Sequence, residues 1–227
     1  MDNGFKDRAL PVVVGLLFLS ALYAIFFYAP TERVMGIVQK VFYVHLSMAF
    51  TAFLSFFIAF VSGILYLTRK DIKWDVYGSS SVEIGVVFIS LTLLSGMLWA
   101  RPIWNTWWTW DPRLTTALIL WFIYVSYLIL RTSVEQEERR AAYCAVLAIA
   151  GFVDVPIVFM SARIWRTIHP VVIRSDSIDI EPSMILTLMI TLTAFLSLWF
   201  LLFKLKTSVA LTCKRIRFLE NKIEGGD

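Results

Sequence analysis

Along the chain, apolar residues gather into six long runs separated by short polar stretches. The runs lie at about 10–29, 42–68, 84–100, 113–130, 141–162 and 183–203. A helix needs about 20 apolar residues to cross the hydrocarbon core, and each run reaches or approaches that length. None shows the period-two alternation of barrel strands, and an open sheet could not satisfy its backbone in lipid. The pattern therefore predicts an all-α integral membrane protein. It would be a six-transmembrane-helix bundle forming a single membrane domain over residues 1–227. The first run follows Lys6 and Arg8, as in a signal peptide. It exceeds an h-region of about 7–15 residues, and no small-residue cleavage site follows, so it is read as a retained helix.

Composition supports this picture. The chain is 59% hydrophobic with a mean hydropathy of +0.73, against about 45–50% apolar residues in soluble domains. Charge adds an orientation. If the N-terminus is cytoplasmic, the inner segments carry Lys6, Arg8, Arg69, Lys70, Lys73, Arg131, Arg139, Arg140 and six basic residues from Lys204 to Lys222. That is fourteen of the 21 basic residues, with seven outside. The positive-inside rule then makes both termini cytoplasmic. Three connections, about 30–41, 101–112 and 163–182, fall on the outer side of the membrane, and the inner loops are 69–83 and 131–140. The net charge of +4 is thus a matter of topology and not of nucleic-acid binding. The basic tail after Leu205 reads as a helix extension held near anionic lipid headgroups. No repeat, low-complexity tract or P-loop is present, so the chain hydrolyses no nucleotide by itself. Cys144 and Cys213 are far apart and form no C-x-x-C pair, which argues against thiol–disulfide chemistry.

One outer loop stands apart chemically. Residues 99–115 hold five of the nine tryptophans: Trp99, Trp104, Trp107, Trp108 and Trp110. Tryptophan is enriched at membrane interfaces, but a belt spreads its rings over many helix ends, whereas these crowd one loop. If the loop were helical, Trp104, Trp107, Trp108 and Asp111 would share one face along the membrane surface. Such a face suits a planar ligand, and physical chemistry alone leaves platform and belt equally open. Asp111 before Pro112 also suits the N-cap of a helix. Arg101 and Arg113 are either interfacial arginines or partners for an anionic group.

The chain has two histidines. His45 lies near the start of the second run and His169 just before the sixth, both on the outer side in this topology. Two imidazoles can ligate a haem iron from opposite faces. No carboxylate or thiolate cluster accompanies them, which disfavours zinc. Asp154, two residues before Pro156, is an acid inside an apolar run. An intramembrane charge suggests function, although bonding to backbone freed by the proline is an equally physical role.

The stretch Trp104-Asn-Thr-Trp107-Trp108-Thr-Trp110-Asp111-Pro-Arg113-Leu-Thr115 resembles the WWD signature of the haem-handling proteins of cytochrome c biogenesis. With Val41-Phe-Tyr-Val-His45 and Trp165-Arg-Thr-Ile-His169-Pro170, the chain is most similar to the CcmC family. The six-helix length, with one histidine on each side of the motif, favours CcmC over the larger CcmF and CcsA types. The resemblance implies a b-type haem held at the outer, periplasmic-side surface of a prokaryotic plasma (inner) membrane. His45 and His169 would be axial ligands to the iron, and the WWD loop (Trp104, Trp107, Trp108, Trp110, Asp111) the platform. Arg101, Arg113 or Arg166 could meet the propionates. It also implies transfer to the haem chaperone CcmE, and an assembly with the ATPase CcmA, the membrane subunit CcmB and the small subunit CcmD. The chain would be a holder and presenter of haem, with no catalysis of its own. Asp154, where a neutral polar residue is expected, and the basic tail depart from the family pattern.

Two further readings compete. Asp154 and Pro156 suit a permease subunit of an ABC-type haem exporter, moving its substrate through the bilayer. A membrane redox protein is disfavoured by two histidines on one side, since a transmembrane electron path usually takes two haems, although a one-haem reductase remains compatible.

Overall fold

The computed structural model describes residues 3–33, 35–165 and 181–224. Helix α1 (Asn3–Tyr23) continues into a π-helical turn, Ala24–Tyr28, and a short 3-10 turn, Ile37–Lys40, leads into α2 (Val41–Arg69). The chain proceeds through α3 (Ile72–Trp104), α4 (Pro112–Ser133), α5 (Glu137–Phe152), α6 (Asp154–Ile164) and α7 (Pro182–Glu224). Six spans are long and apolar enough to cross a membrane, with α5 and most of α6 sharing the fifth. Among the described residues there is no strand, only an isolated bridge between Glu32 and Gly36.

The α2–α3 hairpin is the most extensive helix pair and forms the centre of the bundle. Its link is two residues. Lys70 is left-handed (φ 54°) and its N–H closes on the Tyr66 carbonyl at 2.8 Å, ending α2. Asp71 then caps α3 by accepting from the Lys73 N–H at 3.0 Å. That backbone bond, with the Lys73 ammonium at 2.9 Å, holds the Asp71 carboxyl below the usual carboxylate range. Small residues let the two backbones approach, as is usual between helices in lipid. A Cβ on Gly85 would lie 2.7 Å from Phe56 Cε1 and 2.8 Å from Ser55 Cβ. Three buried hydroxyls of this seam donate to carbonyls: Thr51 to Ser47, Ser55 to Thr51, and Ser81 across to Ser55 at 2.9 Å.

This seam corrects the expected inner loop at 69–83. The helix starts at Ile72, twelve residues before the apolar run at 84–100. Asp75, Ser79, Ser80 and Ser81 are buried, so the polar stretch packs against protein where a loop was expected in water. Hydropathy reports the surface that faces lipid and misses a helix turn whose small polar face meets another helix.

The outer helices are tied on by named groups. Trp121 Nε1 donates to Ser90 Oγ at 2.8 Å, joining α4 to α3, and Trp199 Nε1 donates to Ser55 Oγ at 2.7 Å, joining α7 to α2. Phe56 and Tyr124 stack with centroids 3.7 Å apart and ring planes within 6°. Arg131 grips Asp75 with two bonds, 2.7 and 2.9 Å, between α4 and α3. Between α5 and α6 the helix breaks at Val153, three residues before Pro156, whose missing N–H cannot serve the carbonyl four residues back. Asp154 opens α6, and its buried Oδ2 has no hydrogen-bond partner. That oxygen does not bond the backbone freed by the proline.

The basic tail is the helical continuation of α7 to Glu224. Two of its lysines pair with protein acids: Lys206 with Glu83 of α3, and Lys214 with Glu137 of α5. Protein carboxylates thus take up two of the charges expected to meet headgroups.

Candidate ligand site

The tryptophan-rich loop sits where α3 ends and α4 begins. Asn105 adopts φ 54° and caps α3, so helical geometry stops at Trp104. Residues 105–111 are irregular. This overturns the helical reading in which Trp104, Trp107, Trp108 and Asp111 would share one face. The chain re-enters a helix at Pro112, and the residue before a proline is biased to extended backbone. Asp111 is extended (φ −70°, ψ 157°) and accepts from the Leu114 N–H at 3.0 Å, the capping role its position suggested.

The tryptophans divide by environment. Trp99 is buried on the last turns of α3, its ring 5.9 Å from His45 and 6.1 Å from Trp104, centroid to centroid. Trp108 meets Trp110 edge-on at 5.7 Å. Trp107 and Trp110 are 54% and 75% exposed, large apolar rings offered outward. Arg101 Nη1 donates to both the carbonyl and the side-chain oxygen of Asn105, at 2.8 and 2.7 Å. This holds the guanidinium 5.8 Å over the Trp107 ring. Arg113 is half-buried on the first turn of α4, close to the charge of Asp111. Trp99 Nε1, Trp108 Nε1, Thr109 Oγ1 and Thr115 Oγ1 are buried polar atoms without a hydrogen-bond partner. Such groups are uncommon in folded proteins and call for an account in each case.

His45 is the fifth residue of α2 and its ring lies against α3. Nδ1 is 3.0 Å from Ser95 Oγ, and a Cβ built on Gly96 would stand 3.2 Å from His45 Cε1. Gly96 also lines a recess with Trp104, Thr106 and Trp107. The bare backbone at Gly96 therefore connects the imidazole to the underside of the tryptophan loop. The structure brings together His45, Trp99, Trp104, Trp107 and Arg101. His169 and Arg166 lie outside the described residues. Ser95 and Gly96 were not picked out from sequence. Their signal was spacing: Thr92, Ser95, Gly96 and Trp99 fall at i, i+3, i+4 and i+7 on one face of a helix.

A family model described as Heme exporter protein C, CcmC, matches residues 4–222. The chain belongs to the CcmC family. The match takes in His45, the whole WWD loop and the basic extension through Lys222, so the tail is part of the family's length. Similar proteins include a putative cytochrome c biosynthesis ccmC-like mitochondrial protein of Arabidopsis thaliana, 31% identical over 96% of this chain and 82% of that protein. The Heme exporter protein C of Rhodobacter capsulatus is 29% identical over 96% of this chain and 92% of its own length. That of Escherichia coli is 28% identical over 86% and 75%.

Proposed function

We propose that this CcmC-family chain receives haem b at the outer face of a prokaryotic plasma membrane and presents it for cytochrome c maturation. The iron would sit between His45 and His169, and the macrocycle would lie on the WWD loop. The observation that carries this is the contact of the His45 ring with Gly96, whose other neighbours form the recess under Trp104 and Trp107. An imidazole is thereby continuous with an aromatic wall, which suits a flat apolar macrocycle with a ligand-hungry metal at its centre. Trp107 and Trp110 are exposed rings of the same loop and offer further apolar surface. Arg101, over the Trp107 ring, and Arg113, on the first turn of α4, would meet the propionates, with Arg166 a third candidate. The orphaned polar atoms at Trp108, Thr109 and Thr115 suit a loop that adjusts to a bound guest.

With its tryptophan end outward, the protein hands haem to the chaperone CcmE, with CcmA, CcmB and CcmD as assembly partners, and catalyses no reaction itself. The relatives' names speak of haem export and cytochrome c biosynthesis. The test is optical: protein purified in detergent from haem-replete cells shows a Soret band, and His45→Ala or His169→Ala changes it or lowers occupancy. No haem absorbance and no uptake of added haemin would overturn the proposal.

A second reading has its own support. The buried, unbonded Asp154 Oδ2 at the break between α5 and α6 suits a permease subunit of a haem exporter. It predicts flux across vesicles that Asp154→Leu abolishes while haem binding persists.

A further inference from the structure

A histidine ring can donate to a metal only through the nitrogen that carries no proton, and the partner of the other nitrogen decides which one that is. Two distances at Ser95 bear on this. Its Oγ lies 3.0 Å from the Thr92 carbonyl oxygen, one turn back on α3, and 3.0 Å from His45 Nδ1. A carbonyl oxygen can only accept, so the bond to Thr92 uses the single hydroxyl proton. The hydroxyl oxygen then has only lone pairs to offer His45. A hydrogen bond at that distance requires the proton to be on Nδ1, which leaves the lone pair on Nε2.

We propose that Ser95 is a positioning residue that fixes His45 as its Nδ1–H tautomer and so presents Nε2 as the metal-donating atom. Other residues of the same α3 face hold the ring's plane. The missing side chain at Gly96 admits the ring edge, and Trp99 lies beside it at 5.9 Å. The arrangement matches the general rule that a metal-ligating imidazole gives its second N–H to an acceptor, which orients the ring and makes the ligand more basic. Here the acceptor is a hydroxyl, weaker than a carboxylate. The iron bond is therefore supported without being locked, as suits a carrier that must release its cargo. The inference rests on His45 being a haem ligand, and the experiment separates the two.

The full chain is labelled with nitrogen-15 histidine, with His169→Ala leaving one ring. It is examined in detergent at about pH 8, above the ordinary imidazole range. Long-range nitrogen–proton correlation identifies the protonated nitrogen without haem. Nδ1–H is expected in the otherwise native chain. A shift toward Nε2–H is expected on Ser95→Ala, and its reversal in Ser95→Thr, which keeps the hydroxyl. Nε2–H with Ser95 intact, or an unchanged pattern in Ser95→Ala, overturns the assignment. Haemin titration of the full chain with both histidines present is the second readout. Ser95→Ala should bind about 10- to 100-fold more weakly, with affinity recovered by Ser95→Thr; equal affinity in all three also overturns it. If His45→Ala keeps the native Soret band and affinity, the ligand reading fails, whereas the tautomer experiment still decides the role of Ser95.

Discussion

Arg131 and Asp75 form a two-bond ion pair, Nη1 to Oδ1 at 2.7 Å and Nη2 to Oδ2 at 2.9 Å, between α4 and α3. The Asp75 side chain is only 2% exposed, and the pair lies at the end of the bundle opposite the tryptophan loop. Removing one member of such a pair strands the other charge, which costs about 3–5 kcal/mol, whereas replacing both with apolar residues is often neutral. Asp75→Leu and Arg131→Leu should each lower the detergent thermal midpoint sharply, and the double variant should recover most of the loss. Equal damage in the double variant would show that the pair contributes more than mutual neutralisation.

The surface pairs of the α7 extension set the contrasting scale. Lys206 with Glu83 and Lys214 with Glu137 are partly exposed on both sides. Exposed pairs contribute about 0–1 kcal/mol. Lys206→Ala and Lys214→Ala should therefore leave the same midpoint nearly unmoved.

Gly96 leaves little room beside the His45 ring. Gly96→Ala places a methyl 3.2 Å from His45 Cε1, so the ring must shift by a few tenths of an ångström. Haemin titration should show weakened binding and an altered Soret band, with the far-ultraviolet helix signal unchanged. A larger side chain, as in Gly96→Val, should strengthen the effect. Unaltered haem spectra in both would mean that the ring is not held there in the loaded state.

Trp99 and Trp110 should separate structure from platform. Trp99 is buried between His45 and Trp104, and truncation to alanine should cost about 3–5 kcal/mol of stability. Trp110 is 75% exposed, and Trp110→Ala should change stability by less than about 0.5 kcal/mol. On a haem platform the same Trp110→Ala still lowers haem affinity. Unchanged affinity in both Trp107→Ala and Trp110→Ala would return the loop to the role of an aromatic belt.

Asp154→Asn tests whether charge matters within the fifth span. One of its oxygens is buried without a hydrogen bond, so the neutral isostere should be at least as stable as the native chain. Its haem absorbance should be unchanged if haem is held at the tryptophan loop. A stability loss above about 1 kcal/mol would reveal a bonded carboxylate.

The helical, membrane-crossing class was legible because lipid-facing surfaces must be apolar over a fixed length, as Leu16, Leu19 and Leu22 of α1 illustrate. The cap at Asp111 was legible because Asp-Pro chemistry is local. The early start of α3 was not, since Asp75 and Ser79 to Ser81 look like loop until α2 and Arg131 are set beside them. The irregular path of the tryptophan loop was likewise hidden: helical spacing fitted Trp104 to Asp111, and a single left-handed Asn105 broke it. At the site, His45 and the tryptophans were visible by residue type. Ser95 and Gly96 were not, because a serine and a glycine in an apolar span gain meaning only from what touches them.

The two-residue link at Lys70 and Asp71 carries a consequence for biogenesis. His45, Ser95, Gly96, Trp99 and Trp104 all belong to the hairpin it closes. The imidazole and its hydroxyl partner are both carried by residues 41–104. During synthesis, this half of the proposed haem cradle can therefore assemble in the bilayer before the later helices have been made, and those helices would close around a part already built.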